Sequence, residues 1–246
     1  MAPPFFRLRE INDAHFNYEQ ISCVMARRMT ERIPFRSGVT LVGGGPFSAR
    51  SLRAAMALAP HPVAADGGAD ALAAHGVVPE VVIGDMDSLR GPLPDTVRLH
   101  PVTEQDSTDF GKCLAHTAAP FYIGLGLLGG RLDHTLAALS IMLEYSGQRI
   151  VLLGEEDVAF IAPADWSARV EPGTRVSFFP LRPCRGVASS GLRWSVTGLE
   201  MAAGGQIGTS NEATDALISA RFEPPVAVTI LPARYLETVV ASLATP

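Results

Sequence analysis

Between Val39 and Leu153 short apolar runs alternate with helix-like stretches, and after Gly154 that rhythm stops. "VTLVGGG", "PVAAD", "EVVIGD", "VRLHPV", "FYIGLGL" and "RIVLLG" read as strands, rich in β-branched residues that suit a packed, pleated surface. Between them, helices are predicted over 48–58, 69–75, 108–116 and 133–145. This alternation predicts an open, mostly parallel sheet with helices on both faces. From 155 onward the runs "DVAFIA", "TRVSFFPL", "GLRWSV", "ALISARF" and "AVTILPA" are short and separated by Pro, Gly and Asn clusters. They predict a β-sandwich or small barrel, with "RYLETVVASLA" as a closing helix. The fold expected is therefore α/β: a Rossmann-like domain over 38–154 and a C-terminal β-sandwich domain over 155–246, tightly packed. Residues 1–37 form an N-terminal extension with no assigned role. Met25 and Met29 within it are alternative starts.

In open α/β sheets, ligands gather at the carboxyl ends of the strands. Here the acidic motifs cluster at strand ends and helix starts. "GDMDS" sets Asp85 and Asp87 one residue apart after the run Val81–Ile83. If the extended geometry continues, both carboxylates point to one side and repel unless a cation or a proton separates them. "ADGGA" puts Asp66 and Gly67 at another strand end, where an ordinary N-capping turn is the competing explanation. "EQDSTDFGK", residues 104–112, precedes a helix that Asp106, Ser107 or Thr108 caps, with Asp109 and Lys112 spaced for a surface ion pair. "GGRLDH", residues 129–134, leads a glycine turn and Arg131 into a helix opened by Asp133, the form of an anion site or of a plain cap.

Composition narrows the chemistry. Apolar residues make up 47% of the 246 and charged residues 18%, as in an ordinary globular protein. The formal charge of −5 argues against non-specific nucleic-acid binding. No apolar run approaches the ~18 residues of a membrane span. The three cysteines lack metal or disulfide spacing, which favours a reducing cytoplasm. Of the twenty basic residues only Lys112 is a lysine, beside the acidic cluster. An arginine-biased genome explains the count; a phosphate contact explains the place. Hard carboxylates select Mg²⁺, which bridges to substrate phosphates, so the motifs together point to phosphoryl or pyrophosphoryl transfer from a nucleotide. "VGGGPFS", residues 42–48, is neither a Walker loop nor a dinucleotide fingerprint.

The ordered set "GGGP", "ADGGA", "GDMDS", "DSTDFGKCL", "GGRLDH", "GLRW" and "TSNE", spanning Val39 to Thr229, resembles the thiamine pyrophosphokinase family. The resemblance implies a homodimer with active sites shared across its interface, and diphosphate transfer from ATP to the hydroxyethyl group of thiamine. It places Asp85, Asp87, Thr108 and Asp109 in catalysis, and Asp85, Asp87, Asp109 and Asp133 at Mg²⁺. ATP is expected at Gly44, Gly45, Asp66, Gly67, Gln105, Lys112, Arg131 and Asp133. Trp194, Ser210 and Asn211 are expected at thiamine, where an indole suits a cationic ring. "TSNE" is read as a turn, and a core position is the competing reading of Trp194. Trp166 is read as structural. Which carboxylate serves as general base is left open. The competing functions are a pyrophosphokinase for another hydroxymethyl heterocycle, such as a pterin, and a non-catalytic nucleotide-sensing module.

Overall fold

The computed structural model describes residues 32–244; most of the predicted extension, with Met25 and Met29, lies outside the described residues. In the first half, β1 (Ile33–Pro34), β2 (Val39–Val42), α1 (Ala49–Leu58), β3 (His61–Ala65), α2 (Gly68–Ala74), β4 (Val81–Gly84) and β5 (Arg98–Pro101) come first. They are followed by α3 (Asp109–His116), β6 (Thr117–Ala118), β7 (Tyr122–Leu125), α4 (Leu132–Glu144) and β8 (Ile150–Leu153). The second half holds β9 (Asp157–Ile161), β10 (Trp166–Arg169), β11 (Arg175–Pro180), β12 (Cys184–Ser190), β13 (Glu200–Met201), β14 (Gly208–Glu212), β15 (Leu217–Glu223) and β16 (Ala227–Pro232). Helix α5 (Leu236–Ala244) closes the chain.

Ten strands form one sheet in the order β14-β11-β16-β9-β8-β7-β2-β3-β4-β5. The block from β8 to β5 is parallel. Strands β9, β16, β11 and β14 extend it in antiparallel pairs. The two halves thus share a sheet, joined where β8 turns back through residues 154–156 to pair with β9. Period-two alternation divides the parallel strands between two cores. Val42, Ala64 and Val82 face Leu52 of α1, Leu72 of α2 and Val239 of α5. Leu41, Val63 and Ile83 face Phe110 and Leu114 of α3 and Met142 of α4.

A second sheet, β10-β15-β12-β13, covers the antiparallel block. Phe160 of β9 meets Trp166 of β10 at 5.4 Å between ring centroids, and Phe178 of β11 meets Phe222 of β15 at 5.1 Å. Trp166 is 2% exposed, in keeping with its structural reading.

Two local expectations fail. "GLRWSV" is not a strand: it offers only the isolated bridge Leu192–Ala213. Hydroxyl groups take the place of ladder bonds there, with Val196 N donating to Ser189 Oγ at 3.1 Å and Thr197 N to Ser195 Oγ at 3.1 Å. "TSNE" is not a turn but part of β14, paired with β11 across a bulge at Val176/Phe178.

The chain order reverses between β2 and β7: β2 leads outward to β3, β4 and β5, and β7 leads the other way to β8. The loops leaving these two strands therefore diverge around a crevice. They are laced by Gly43 N to Leu125 O at 2.8 Å and Gly45 N to Gly126 O at 3.0 Å. A Cβ on Gly45 would lie 2.5 Å from the Gly126 carbonyl oxygen, so only glycine permits this approach.

Candidate active site

Three carboxylates converge at the ends of β3 and β4. One oxygen each from Asp66, Asp85 and Asp87 lies within 4.8 Å of the others. The extended geometry does not continue past β4. Met86 takes φ +68°, and Asp87 N donates to Asp85 Oδ1 at 3.3 Å, so a tight turn brings the pair together. Asp66 is held at φ +39°. Positive φ at non-glycine residues stores strain, here at two positions of one cluster.

The three differ electrostatically. Asp85 accepts from Gln105 Nε2 at 3.0 Å, and this bond, with that from Asp87 N, holds its carboxyl below the usual range. Asp87 accepts from Ser88 Oγ at 3.0 Å. Asp66 is 2% exposed. Burial pushes its carboxyl above the usual range, and the charges of Asp109 and Asp85 add to that, against the hydrogen bond from Ser88. Its Oδ2 accepts from Ser88 N at 3.3 Å, whereas its Oδ1 is buried without a partner. A buried oxygen left unsatisfied costs about 1–3 kcal/mol. A hard dication among three carboxylates removes that cost and the mutual repulsion, so the donor set fits Mg²⁺.

Helix α3 delivers the counter-charge. Thr108 caps it, accepting from Gly111 N at 3.1 Å. Asp109 opens it, and one turn on Lys112 Nζ donates to Asp109 Oδ1 at 3.1 Å. Lys112 is 3% exposed, so it is no surface helix charge. Burial works against its proton, but the bond to Asp109 and the charges of Asp109, Asp85 and Glu104 prevail and raise its pKa. At the other lip Arg131 caps α4 through its backbone, and its side chain pairs with Asp133, 3.1 Å from Nε to Oδ1. Both are exposed.

These elements enclose a cavity of about 620 Å³. Gly44, Gly45, Asp66, Gly67 and Asp85 line it from the β2, β3 and β4 ends. Gln105, Thr108, Asp109, Lys112 and Arg131 line it from the opposite side. Ser88, Ser107 and His134 also line it and were not anticipated, although all three stand inside the quoted motifs or beside them. Asp87 and Asp133 stand outside its lining.

Trp194, Ser210 and Asn211 do not reach this cavity. Trp194 is 55% exposed with the Arg193 guanidinium 5.0 Å from its ring centroid, so it is not a core tryptophan. Asn211 is buried and grips the Trp194 backbone from both sides: Nδ2 donates to Trp194 O at 2.6 Å, and Oδ1 accepts from Trp194 N at 3.1 Å. Ser210, at φ +59°, donates its N–H to Ser177 Oγ at 3.0 Å.

A crevice at a topological switch, furnished with clustered carboxylates, one buried lysine and bare glycine backbone, defines an α/β protein whose site has the chemistry to take a phosphorylated ligand with a metal ion. Comparison with known proteins narrows the class. The family model described as thiamin pyrophosphokinase, catalytic domain, matches residues 52–152, and that for the vitamin B1 binding domain matches 167–223. The chain belongs to the thiamin pyrophosphokinase family. It is similar to thiamine pyrophosphokinase 1 of Oryza sativa subsp. japonica, 30% identical over 154 residues that cover 54% of this chain and 58% of the rice protein. It also resembles thiamine pyrophosphokinase 2 of Arabidopsis thaliana, 28% identical over 62% of this chain and 65% of that one. The chain thus spans less than two thirds of the length of these relatives. Thiamin pyrophosphokinase from Geobacillus thermodenitrificans shares the fold at a TM-score of 0.62 and 23% identity, over 79% of this chain and 96% of that one. The yeast enzyme does so at 0.65 and 16%, over 85% and 93%.

Proposed function

We propose that this protein transfers the β,γ-diphosphate of ATP to the hydroxyethyl group of thiamine, giving thiamine diphosphate and AMP. The observation that carries the reading is the Asp66–Asp85–Asp87 cluster, of which Asp66 and Asp85 line the cavity that also holds buried Lys112, in a chain matched by both family models. In this reading, residues 38–154 are a Rossmann-like nucleotide and metal domain, and 155–246 a β-sandwich domain that supplies the thiamine wall.

Asp66, Asp85 and Asp87 hold Mg²⁺, with Asp109 and Asp133 completing the acidic shell. When bound, Mg²⁺ neutralises phosphate charge and favours in-line displacement. Gln105 keeps Asp85 ionised and oriented. Lys112 and Arg131 bind phosphate oxygens, and Gly44, Gly45 and Gly67 leave backbone bare beside them. Thr108 fixes the start of α3 and hence the position of Asp109. The thiamine hydroxyl oxygen bonds to the β-phosphorus, the bond from that phosphorus to the α–β bridging oxygen breaks, and AMP leaves. The hydroxyl proton passes to a carboxylate of the cluster.

Trp194 stacks on the thiamine rings and Ser210 hydrogen-bonds to them, while Asn211 fixes Trp194 from beneath. Because Trp194 stands on the surface and away from the acidic cavity of its own chain, it serves the site of a second copy in a cytoplasmic homodimer. Incubation with ATP, Mg²⁺ and thiamine should yield AMP and thiamine diphosphate in equal amounts. Production of ADP and thiamine monophosphate, or no thiamine-dependent turnover, would reject the reading.

A further inference from the structure

A second cavity, about 750 Å³, adjoins the acidic one. Pro46 and Gly129 line both, one from each loop of the crevice between β2 and β7. The acidic cavity extends from that crevice towards β3 and β4, and the second extends towards β8, β9 and β16. Its lining is mostly apolar: Phe47, Leu128 and Leu139 on one side, Phe179, Val228 and Ile230 on the other.

The polar groups at its rim decide which end of a nucleotide enters. Glu155, Glu156 and Asp157 stand in succession on the turn that joins β8 to β9, and all three line the cavity. Two are already compensated. Glu155 Oε1 accepts from Ser48 N and from Ser51 Oγ, both at 2.8 Å, and so fills the N-terminus of α1. Asp157 pairs with Arg175. A helix start after a glycine loop would otherwise suit phosphate. With Glu155 on it, and two further carboxylates beside it, phosphate is repelled. Among the described residues Glu156 makes no side-chain hydrogen bond or ion pair, which leaves one uncommitted carboxylate acceptor over an apolar slot.

The geometry points to this cavity as the nucleoside pocket of the site, taking the purine of ATP between the apolar walls with its exocyclic amine directed to Glu156. The inference rests on the ATP reading above. The triphosphate then crosses Pro46 and Gly129 to the acidic trio, so that the β- and γ-phosphates lie at the carboxylates and the α-phosphate lies nearer the base. AMP, the leaving group, remains on the side of β8 and β9. A carboxylate distinguishes a 6-amino purine, which donates to it, from a 6-oxo purine, which presents a second acceptor.

Calorimetric titrations of the whole protein in Mg²⁺ with ATP, ITP and inorganic tripolyphosphate test the assignment. Ile230→Trp fills the slot and should weaken ATP at least tenfold while leaving tripolyphosphate unchanged. Thr135→Trp blocks the same space from α4 and substitutes if the strand variant does not fold. Glu156→Gln should narrow the preference for ATP over ITP. Unchanged ATP affinity in the tryptophan variants overturns the assignment. So does equal loss of ATP and tripolyphosphate, or loss of thiamine binding alone, which would make the slot the acceptor pocket. A wild-type protein that binds no ATP rejects the functional reading itself, a different failure from a wild type that binds ATP indifferently to Ile230→Trp.

Discussion

The acidic cluster and the Trp194 region are unfinished in opposite ways. Around Asp66 the geometry is complete and the charge is not: three carboxylates crowd together, one buried oxygen has no partner, and the lysine nearby is shared with Asp109. Around Trp194 every polar group of the Asn211 amide is engaged, yet a large aromatic surface is left exposed. In the proposed reading the first region is completed by an ion and an anionic ligand, the second by an apolar or cationic surface. Electrostatic incompleteness is felt as pKa shifts, as at Asp66 and Asp85; steric incompleteness leaves no such shift and is visible as exposure, as at Trp194.

The largest effect is expected at the acidic cluster. Asp87→Asn keeps the shape of the side chain and removes one charge, so turnover should fall at least a hundredfold with the fold intact, measured as AMP formation and by circular dichroism. Near wild-type activity at limiting Mg²⁺ would detach Asp87 from the metal.

Lys112→Met comes next. A buried charge-assisted contact with phosphate contributes about 1.5–3 kcal/mol, so ATP affinity should drop more than tenfold. An exposed ion pair would contribute only ~0–1 kcal/mol. An unchanged ATP dissociation constant by calorimetry would reduce Lys112 to a partner of Asp109.

Asp66 gives a smaller effect of opposite sign in the absence of metal. Its folded-state pKa is raised above the ordinary carboxylate value. The folded protein therefore holds this proton more tightly than the unfolded chain, and stability is lost as pH rises through the folded pKa. Asp66→Asn should raise the melting temperature of the metal-free protein at pH 7 and leave it nearly unchanged at pH below the ordinary carboxylate range. Mg²⁺ at a hundred times its Kd should stabilise the wild type by about 2.7 kcal/mol and the variant far less. A metal-free variant less stable than wild type at pH 7 contradicts the assigned strain.

Much of the first region is legible in the sequence because strand ends in a parallel sheet are marked by apolar runs breaking into Gly and Asp. Gly44, Asp66 and Asp85 fall into one cavity as that logic anticipates, and Lys112 joins them from helix α3. What the sequence hides is how they meet. Asp85 and Asp87 converge through the positive φ of Met86 rather than by strand alternation, and no propensity forecasts a bulky residue there. The burial of Lys112 is invisible because a three-residue spacing from Asp109 serves an exposed pair equally well. In the second half hydroxyl-to-backbone bonds dissolve the strand expected at "GLRWSV". The pairing of β8 with β9 depends on a three-residue turn, so the shared sheet is likewise hidden in a sequence whose rhythm changes at that point.

In the proposed homodimer the charged region of one chain and the aromatic region of another form one site. Asp87→Ala and Trp194→Ala, each inactive alone and each folded, are mixed under conditions of subunit exchange, and thiamine-dependent AMP release is measured with heterodimer content quantified. In a shared-site heterodimer one site collects both defects and the other neither, so activity should return to about a quarter of wild type when exchange is statistical, half the dimers being mixed. Silence from a mixture shown to contain heterodimers would mean that each chain builds its own site, and would contradict the account.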